Sequence, residues 1–455
     1  MSALTVDFKG IMATSDQPVS FKASEGLCYD TGDQKYWDPE GLEREITRAF
    51  ALCHSCRMCF KYCDLFPVMF DLIDEKDEDV TNLTAADIKK VMKLCFQCKL
   101  CEVECPYTPA AQHEYQLDFP RLVHRYFAQQ AKGKRKSLGE WMLSNTNSLG
   151  KLARLSLGMA NLANRFPPER WILEKIAGIH RRKLLPDFAA RTFTIIAKRN
   201  GWIKKSPDTE VVLFQTCYVD NNEPDIGEDL IEVLEKNQVK YTCLEGYKCC
   251  GMPYWEIGDL DTVRKNAHHN LNLMMPFVEG GAKVMAINPT CSMMMRREYP
   301  ELLEGVDRER AEKLSAAMVE PGEYLWSIRK EERFCKEFKS LPGKSVAYHI
   351  SCHLRSLRVG FRSREIMKQM PDVSVKVVTE CCGHNGTYAM KTETFEDSGR
   401  IGQKAFDAMK NANADIWTTD CPLAAVQFKQ FTGIKPMHPV SLLARAYREN
   451  GFEKK

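Results

Sequence analysis

The chain has 455 residues, 44% apolar and 27% charged, with a formal net charge of +3. This ordinary globular composition excludes a disordered, collagen-like or coiled-coil polypeptide, and the length predicts roughly three domains. No apolar run approaches the roughly 20 residues of a membrane helix, and the near-balanced charge offers nucleic acid no global field. The opening MSALTVDFKG lacks the basic-then-apolar pattern of an export signal. A cytoplasmic location follows as the expectation, with peripheral contact on the inner face of the membrane as its variant.

The count of 19 cysteines narrows the chemistry. In a long chain without an export signal, clustered thiols read as metal ligands or redox groups rather than as a disulfide scaffold. Residues 1–48 form an N-terminal extension with no motif of their own. The first run is Cys53, Cys56, Cys59 and Cys63; the second is Cys95, Cys98, Cys101 and Cys105, followed by Pro106. Both have the spacing C-x2-C-x2-C-x3-C. Three cysteines at every third position wrap one face of an iron–sulfur cube, and in two-cluster ferredoxins the fourth ligates the other cluster. The expected sets are therefore Cys53, Cys56, Cys59 and Cys105 for one [4Fe-4S] cluster, and Cys95, Cys98, Cys101 and Cys63 for the second. Zinc is the alternative, but zinc ribbons use C-x2-C pairs separated by a longer loop.

Between the runs lie 31 residues, with the acidic stretch DLIDEKDEDV and then TAADIKKVMKLC, whose spacing is helical with Thr84 as N-cap. That insert predicts a helical ferredoxin domain over 49–125, similar to those of fumarate and succinate oxidoreductase iron–sulfur subunits. A basic helical linker follows at 126–207. Residues 131–205 hold 17 Lys/Arg against 4 Asp/Glu, a net of +13. Their apolar residues recur at helical spacing, which reads either as an amphipathic surface for anionic lipid or as a linker with a solvated basic face.

From residue 208 strands and helices alternate. Cys217, Cys249, Cys250 and Cys291 recur as Cys352, Cys381, Cys382 and Cys421, offset by 135, 132, 132 and 130 residues, and Gly251 and Gly383 follow the two vicinal pairs. This is an internal duplication, predicting CCG repeats at 208–335 and 343–450. Each reads β-α-β-α-β, hence a parallel sheet, with its cysteines at the C-terminal ends of strands, where open α/β sheets build their sites. The glycines are expected to take positive φ or to admit a close approach. The expected class is an α+β multidomain chain: a helical ferredoxin domain, a helical linker and two α/β repeats. Cys28, Cys243 and Cys335 read as buried apolar thiols. His353, His384 and His438 read first as structural histidines, with tuning or ligation of a cluster as the alternative.

With QTCYVDNN, CCGMP, NPTCSMMMRREYP, HISCHLRSLRVG, CCGHNGTYAMKTETFEDS, TTDCP and MHPVSLLARAY, the chain resembles the CCG-domain iron–sulfur proteins. These are the relatives of heterodisulfide reductase. The resemblance is greatest to the branch formed by the C subunit of anaerobic glycerol-3-phosphate dehydrogenase, over roughly residues 50–446. It implies a further cluster or a zinc held by Cys217, Cys249, Cys250 and Cys291, and by Cys352, Cys381, Cys382 and Cys421. The second set follows the branch more closely. The family pattern ends each repeat in C-x2-C, whereas here Asn288 and Ala424 replace one cysteine in each repeat. Each repeat thus has four thiols rather than the five of the reductase noncubane clusters.

No G-x-G-x-x-G after a strand and no P-loop occurs, so no flavin or NAD site is visible and no catalytic residue stands out. The reading is an electron-transfer subunit serving a flavoprotein dehydrogenase or other redox partner and passing electrons toward a quinone or other acceptor. The alternative is an enzyme that reduces a disulfide at a CCG-bound cluster.

Overall fold

The computed structural model describes residues 19–61, 63–204 and 208–452. Residues 1–18 of the extension and Lys205, Ser206 and Pro207 of the basic segment lie outside them. The chain forms two compact units, Met1–Gln130 and Ala131–Lys455.

The first unit is built on helices. Helix Pro39–Cys56 starts on Asp38, whose carboxylate accepts from the Glu40 and Gly41 amides, satisfying donors that a helix start leaves unpaired. It crosses the expected boundary at residue 48 and delivers Cys53 and Cys56 in its last turn. Helix Leu65–Asp74 follows. Helix Ala85–Leu94 begins on Thr84, as the sequence predicts; Thr84 and Asp87 cap each other's backbone amides. Helix Phe119–Ala131 carries the buried Arg125, whose guanidinium donates to the carbonyls of Tyr36, Gly26 and Lys35. A buried cation is tolerable only when so satisfied, and here it ties residues 26–36 to that helix. The apolar core joins Leu42, Ile46, Phe50, Phe66, Met69 and Val123, and most of the cysteines of both runs pack against it.

The second unit opens with the basic segment, helical at Leu138–Ser144, Thr146–Leu155, Met159–Ala163, Pro167–Ala177 and Phe193–Arg199. Two parallel sheets follow. The first has β1 (Val211–Phe214), β2 (Tyr241–Cys243), β3 (Lys283–Ala286) and β4 (Met318–Val319) in the order β2-β1-β3-β4. The second has β5 (Ser345–His349), β6 (Ser374–Val378) and β7 (Ile416–Thr419) in the order β6-β5-β7. The duplicated cysteines are thus matched by a duplicated sheet, with β4 as an extra strand that the sequence pattern does not announce. All four residues of β1 are buried, as expected of a central parallel strand covered on both faces.

Strands end sooner than the sequence suggests. β1 stops three residues short of Cys217, which instead opens helix Cys217–Asn221, and Cys352 likewise opens Cys352–Ser356. Cys291 lies inside helix Pro289–Met293. Proline and the short polar caps Thr216 and Asn288 favour helix starts, so the cysteines sit in the first turns after the strands. In the second repeat a long helix, Phe395–Asn411, follows the vicinal cysteines. Helix Pro439–Tyr447 of the second repeat packs on Pro224–Lys236 of the first, with Arg448 paired to Asp229 and Glu232.

Candidate metal centres

In the first unit the eight thiols fall into two neighbourhoods. Burial pushes Cys53 well above its ordinary value, and the nearby Cys59, Cys105 and Cys56 add to it. Cys59 is pushed up to about 12 by burial, then by Cys105 and Cys56. Burial also raises Cys63, followed by Cys98 and Cys95; Cys101 responds to Cys98, Cys95 and Cys63 in the same way. Cys105 thus lies near Cys53 and Cys59 of the first run, and Cys63 near Cys95 and Cys98 of the second, while Cys59 also lies near Cys98. The neighbourhoods adjoin, since Cys101 also senses Cys59.

The backbone bends to make this possible. Arg57 and Lys99, each following the second cysteine of its run, have φ of 51° and 61°, and Gln97 has 57°. Non-glycine residues in the left-handed region cost of order 1 kcal/mol each and gather at functional sites.

In the first CCG repeat four thiols, three of them buried and Cys217 half-buried, form a continuous series. Cys217 Sγ lies 3.9 Å from Cys249 Sγ; Cys249 contacts Cys250, and Cys250 contacts Cys291. Cys291 is held at about 11, its Cys250 contact lowering it and burial raising it. Thr216, immediately before Cys217, has φ 70°, an outlier for a β-branched residue. Its carbonyl accepts from the Tyr247 hydroxyl at 3.1 Å.

Helix Leu260–Glu279 secures the vicinal pair. Asn266 donates to the Cys249 carbonyl at 3.1 Å, and Asn270 exchanges hydrogen bonds with the Lys248 backbone at 2.8 and 3.1 Å. Tyr299 donates to the Cys250 carbonyl at 2.9 Å. These clamps escaped the sequence reading; two asparagines four residues apart on a helix, one of them fully buried, were the available signal. Asn288, where the family has cysteine, caps helix Pro289–Met293 by accepting from the Thr290 amide.

In the second repeat Cys421 is pushed up to about 12 by burial and then by Cys382. Burial likewise raises Cys382, opposed by Lys183. Lys183 is itself buried, donates to Gln427 and is pushed down to about 7 by loss of water. The Gly383 amide points at Cys381 Sγ, 3.3 Å away. Ala424, the other departure from the family pattern, is packed in the core. Thiol-to-thiol contact is thus continuous in the first repeat, although the sequence favours the second.

The histidines divide. His438 caps helix Pro439–Tyr447, accepting from the Val440 amide, a structural role. His353 bonds Thr290 across the repeats at 2.9 Å. His384 is buried with neither ring nitrogen hydrogen-bonded. The repeats also interlock where Glu256 accepts from the Thr387 amide and hydroxyl at 2.9 and 2.8 Å. Of the three leftover cysteines Cys243 is buried, while Cys28 and Cys335 are half-buried.

Among the described residues no three Cys, His, Asp or Glu side chains converge tightly enough to chelate one metal ion. The donor set nevertheless suits a cluster in number and kind: half-buried or buried thiols in fours, which give up their protons to bind metal, with each thiolate of a cube binding a different iron.

The cysteine-rich CCG domain matches residues 211–296 and again 346–429. The C subunit of anaerobic glycerol-3-phosphate dehydrogenase from Escherichia coli (strain K12) is 30% identical over 314 residues, covering 69% of this chain and 78% of that one. The B subunit of the fumarate reductase (CoM/CoB) of Methanothermobacter marburgensis is 24% identical over 392 residues, 80% of this chain and 74% of that one. Lactate utilization protein A of Geobacillus thermodenitrificans is 29% identical over 188 residues, 40% and 75% of the two chains. The chain belongs to the CCG-domain family, as a relative of the C subunit of anaerobic glycerol-3-phosphate dehydrogenase.

Proposed function

We propose that this chain is the iron–sulfur electron-transfer subunit of a flavin-dependent dehydrogenase complex. In this reading it relays electrons through two [4Fe-4S] clusters and a CCG site toward a quinone or other acceptor. The observation that supports it is the closeness of each run's last cysteine to the other run: Cys105 lies near Cys53 and Cys59, and Cys63 near Cys95 and Cys98; the ligand sets of this reading are Cys53, Cys56, Cys59 with Cys105, and Cys95, Cys98, Cys101 with Cys63. A four-iron cluster bound by each set supplies one-electron redox chemistry.

The chain's own residues do the rest. The thiols lose their protons on metal binding, and an apolar core packs against most of them. The CCG thiols Cys217, Cys249, Cys250 and Cys291 offer a third centre, Cys352, Cys381, Cys382 and Cys421 a fourth, for iron–sulfur or zinc. Substrate oxidation belongs to a flavoprotein partner, because this chain shows no nucleotide fold motif and hydride chemistry requires such a cofactor. Peripheral membrane contact runs through the basic region 131–205. No helix of the described residues is long and apolar enough to cross a membrane.

The test is reconstitution. The flavin-free chain alone should reduce no dye with glycerol 3-phosphate, and its visible absorbance should bleach when a flavoprotein dehydrogenase and its substrate are added. Substrate-dependent dye reduction by the single chain would overturn the division of labour.

A further inference from the structure

Lys183 is buried at the second CCG site, only 2% exposed. A buried ammonium persists only where polar partners or an opposite charge repay the water it has lost. Among the described residues its ammonium makes one hydrogen bond, to the Gln427 side-chain oxygen, an acceptor without charge. Gln427 is itself oriented, since its amide nitrogen donates to the Ser398 hydroxyl at 2.8 Å. No carboxylate pairs with Lys183 among the described residues, and the opposite charge that acts on it is the thiolate of Cys382. His384 lies near it as well and takes no hydrogen bond from it, neither ring nitrogen being bonded.

Anchoring the loop does not account for this charge. Arg170 donates to the carbonyls of His180, Arg181 and Lys183 at 2.7, 3.2 and 2.8 Å. Gln430 accepts from the Leu184 amide at 3.1 Å and donates to the Arg182 carbonyl at 2.8 Å. The His180 ring stacks on Phe395 with centroids 3.9 Å apart. The backbone of 180–184 is thus fastened to the second repeat without the ammonium, and an apolar side chain of similar volume would fill its space at no greater cost. What does call for a cation is the set of four thiols, which turns anionic when they give up their protons to metal.

We propose that Lys183 is the counter-charge of the centre held by Cys352, Cys381, Cys382 and Cys421, and that it favours the reduced state of that centre. This rests on the electron-transfer reading and deepens it at the second CCG site. Reduction there adds one electron, originating in the flavoprotein partner's substrate, and forms or breaks no bond. A fixed cation stabilises the added negative charge, and net charge is among the factors that set a cluster's potential. At an effective dielectric of about 20, a unit charge out to about 10 Å moves a one-electron equilibrium by more than tenfold.

Potentiometric titration of the full-length, anaerobically purified protein, followed by electron paramagnetic resonance, tests this. The signal of the second repeat is the one that the double variant Cys381→Ser, Cys382→Ser removes. Lys183→Met keeps the volume and loses the charge. It should shift that signal's equilibrium at least tenfold toward the oxidised form, about 59 mV downward for one electron, with iron content at the wild-type level. Lys183→Arg, which keeps the charge, should stay within threefold of wild type. Gln427→Glu leaves the lysine in place but gives it a carboxylate, and should shift the signal in the same direction as Lys183→Met. An unshifted potential in Lys183→Met with its iron retained would overturn the proposal, and so would a second repeat without a redox signal. Should Lys183→Met lose its iron, an unshifted potential in Gln427→Glu overturns it instead. The ferredoxin clusters, followed in the same titration, report separately on the electron-transfer reading, so either can fail alone.

Discussion

Three glycines in the left-handed region separate backbone strain from steric collision at the CCG loops. At Gly433, φ is +78° and an added Cβ meets nothing within 4 Å, so Gly433→Ala carries only the conformational penalty, about 1–2 kcal/mol. Gly251 has φ +101° and its Cβ would sit 2.9 Å from Val263 Cγ1, a side-chain atom able to yield; Gly251→Ala should cost about 1 kcal/mol more. Gly383 is different. With φ +73°, its Cβ would lie 2.1 Å from the Ser398 carbonyl oxygen and 3.1 Å from the Gly402 nitrogen, both backbone of helix Phe395–Asn411. Either that helix or the loop bearing Cys381 and Cys382 must move, and the total should reach at least about 4 kcal/mol. Urea denaturation followed by circular dichroism gives the ordering, and metal analysis shows whether the second repeat loses occupancy. If Gly383→Ala stays within about 1 kcal/mol of Gly433→Ala, the close packing of loop on helix is not what this glycine serves.

Cys105→Ser should alter the spectroscopic signature of the cluster assigned to Cys53, Cys56 and Cys59; loss confined to the other cluster would refute crossed ligation. Burial raises the Glu320 carboxyl to about 8, above its unfolded value, so its contribution is fully present below about pH 4.5 and is lost as pH rises toward 8. Glu320→Gln should remove that loss, a few kcal/mol at most, and flatten the stability profile between about pH 5 and 8. An unchanged slope in urea titrations across that range would contradict it. Asp38→Ala removes the cap of the helix that delivers Cys53 and Cys56 and should cost about 1 kcal/mol. Faster hydrogen exchange in that helix's first turn is the corresponding readout.

The repeat arithmetic of the CCG cysteines carried the two parallel sheets into view, because a duplicated ligand pattern demands a duplicated scaffold. Thr84 was legible as a cap for the same local reason: a short hydroxyl before an apolar period, with an acidic residue three positions on. What stayed hidden depends on long-range contact. Nothing near Gly402 in sequence says that the chain of Cys382 presses on it, and Lys183 reads as one more basic residue of a solvated face although it is buried beside Gln427. Strand ends were overextended because a buried strand and the apolar turn after it look alike in composition.

Metal and sulfide analysis of anaerobically purified protein, with electron paramagnetic resonance of the reduced form, tests the central claim most directly. The account predicts at least about eight iron and eight acid-labile sulfide per chain, from two four-iron clusters, with reduced-state signals broadened by coupling between neighbouring clusters. Fewer than about four iron per chain together with stoichiometric zinc would contradict it.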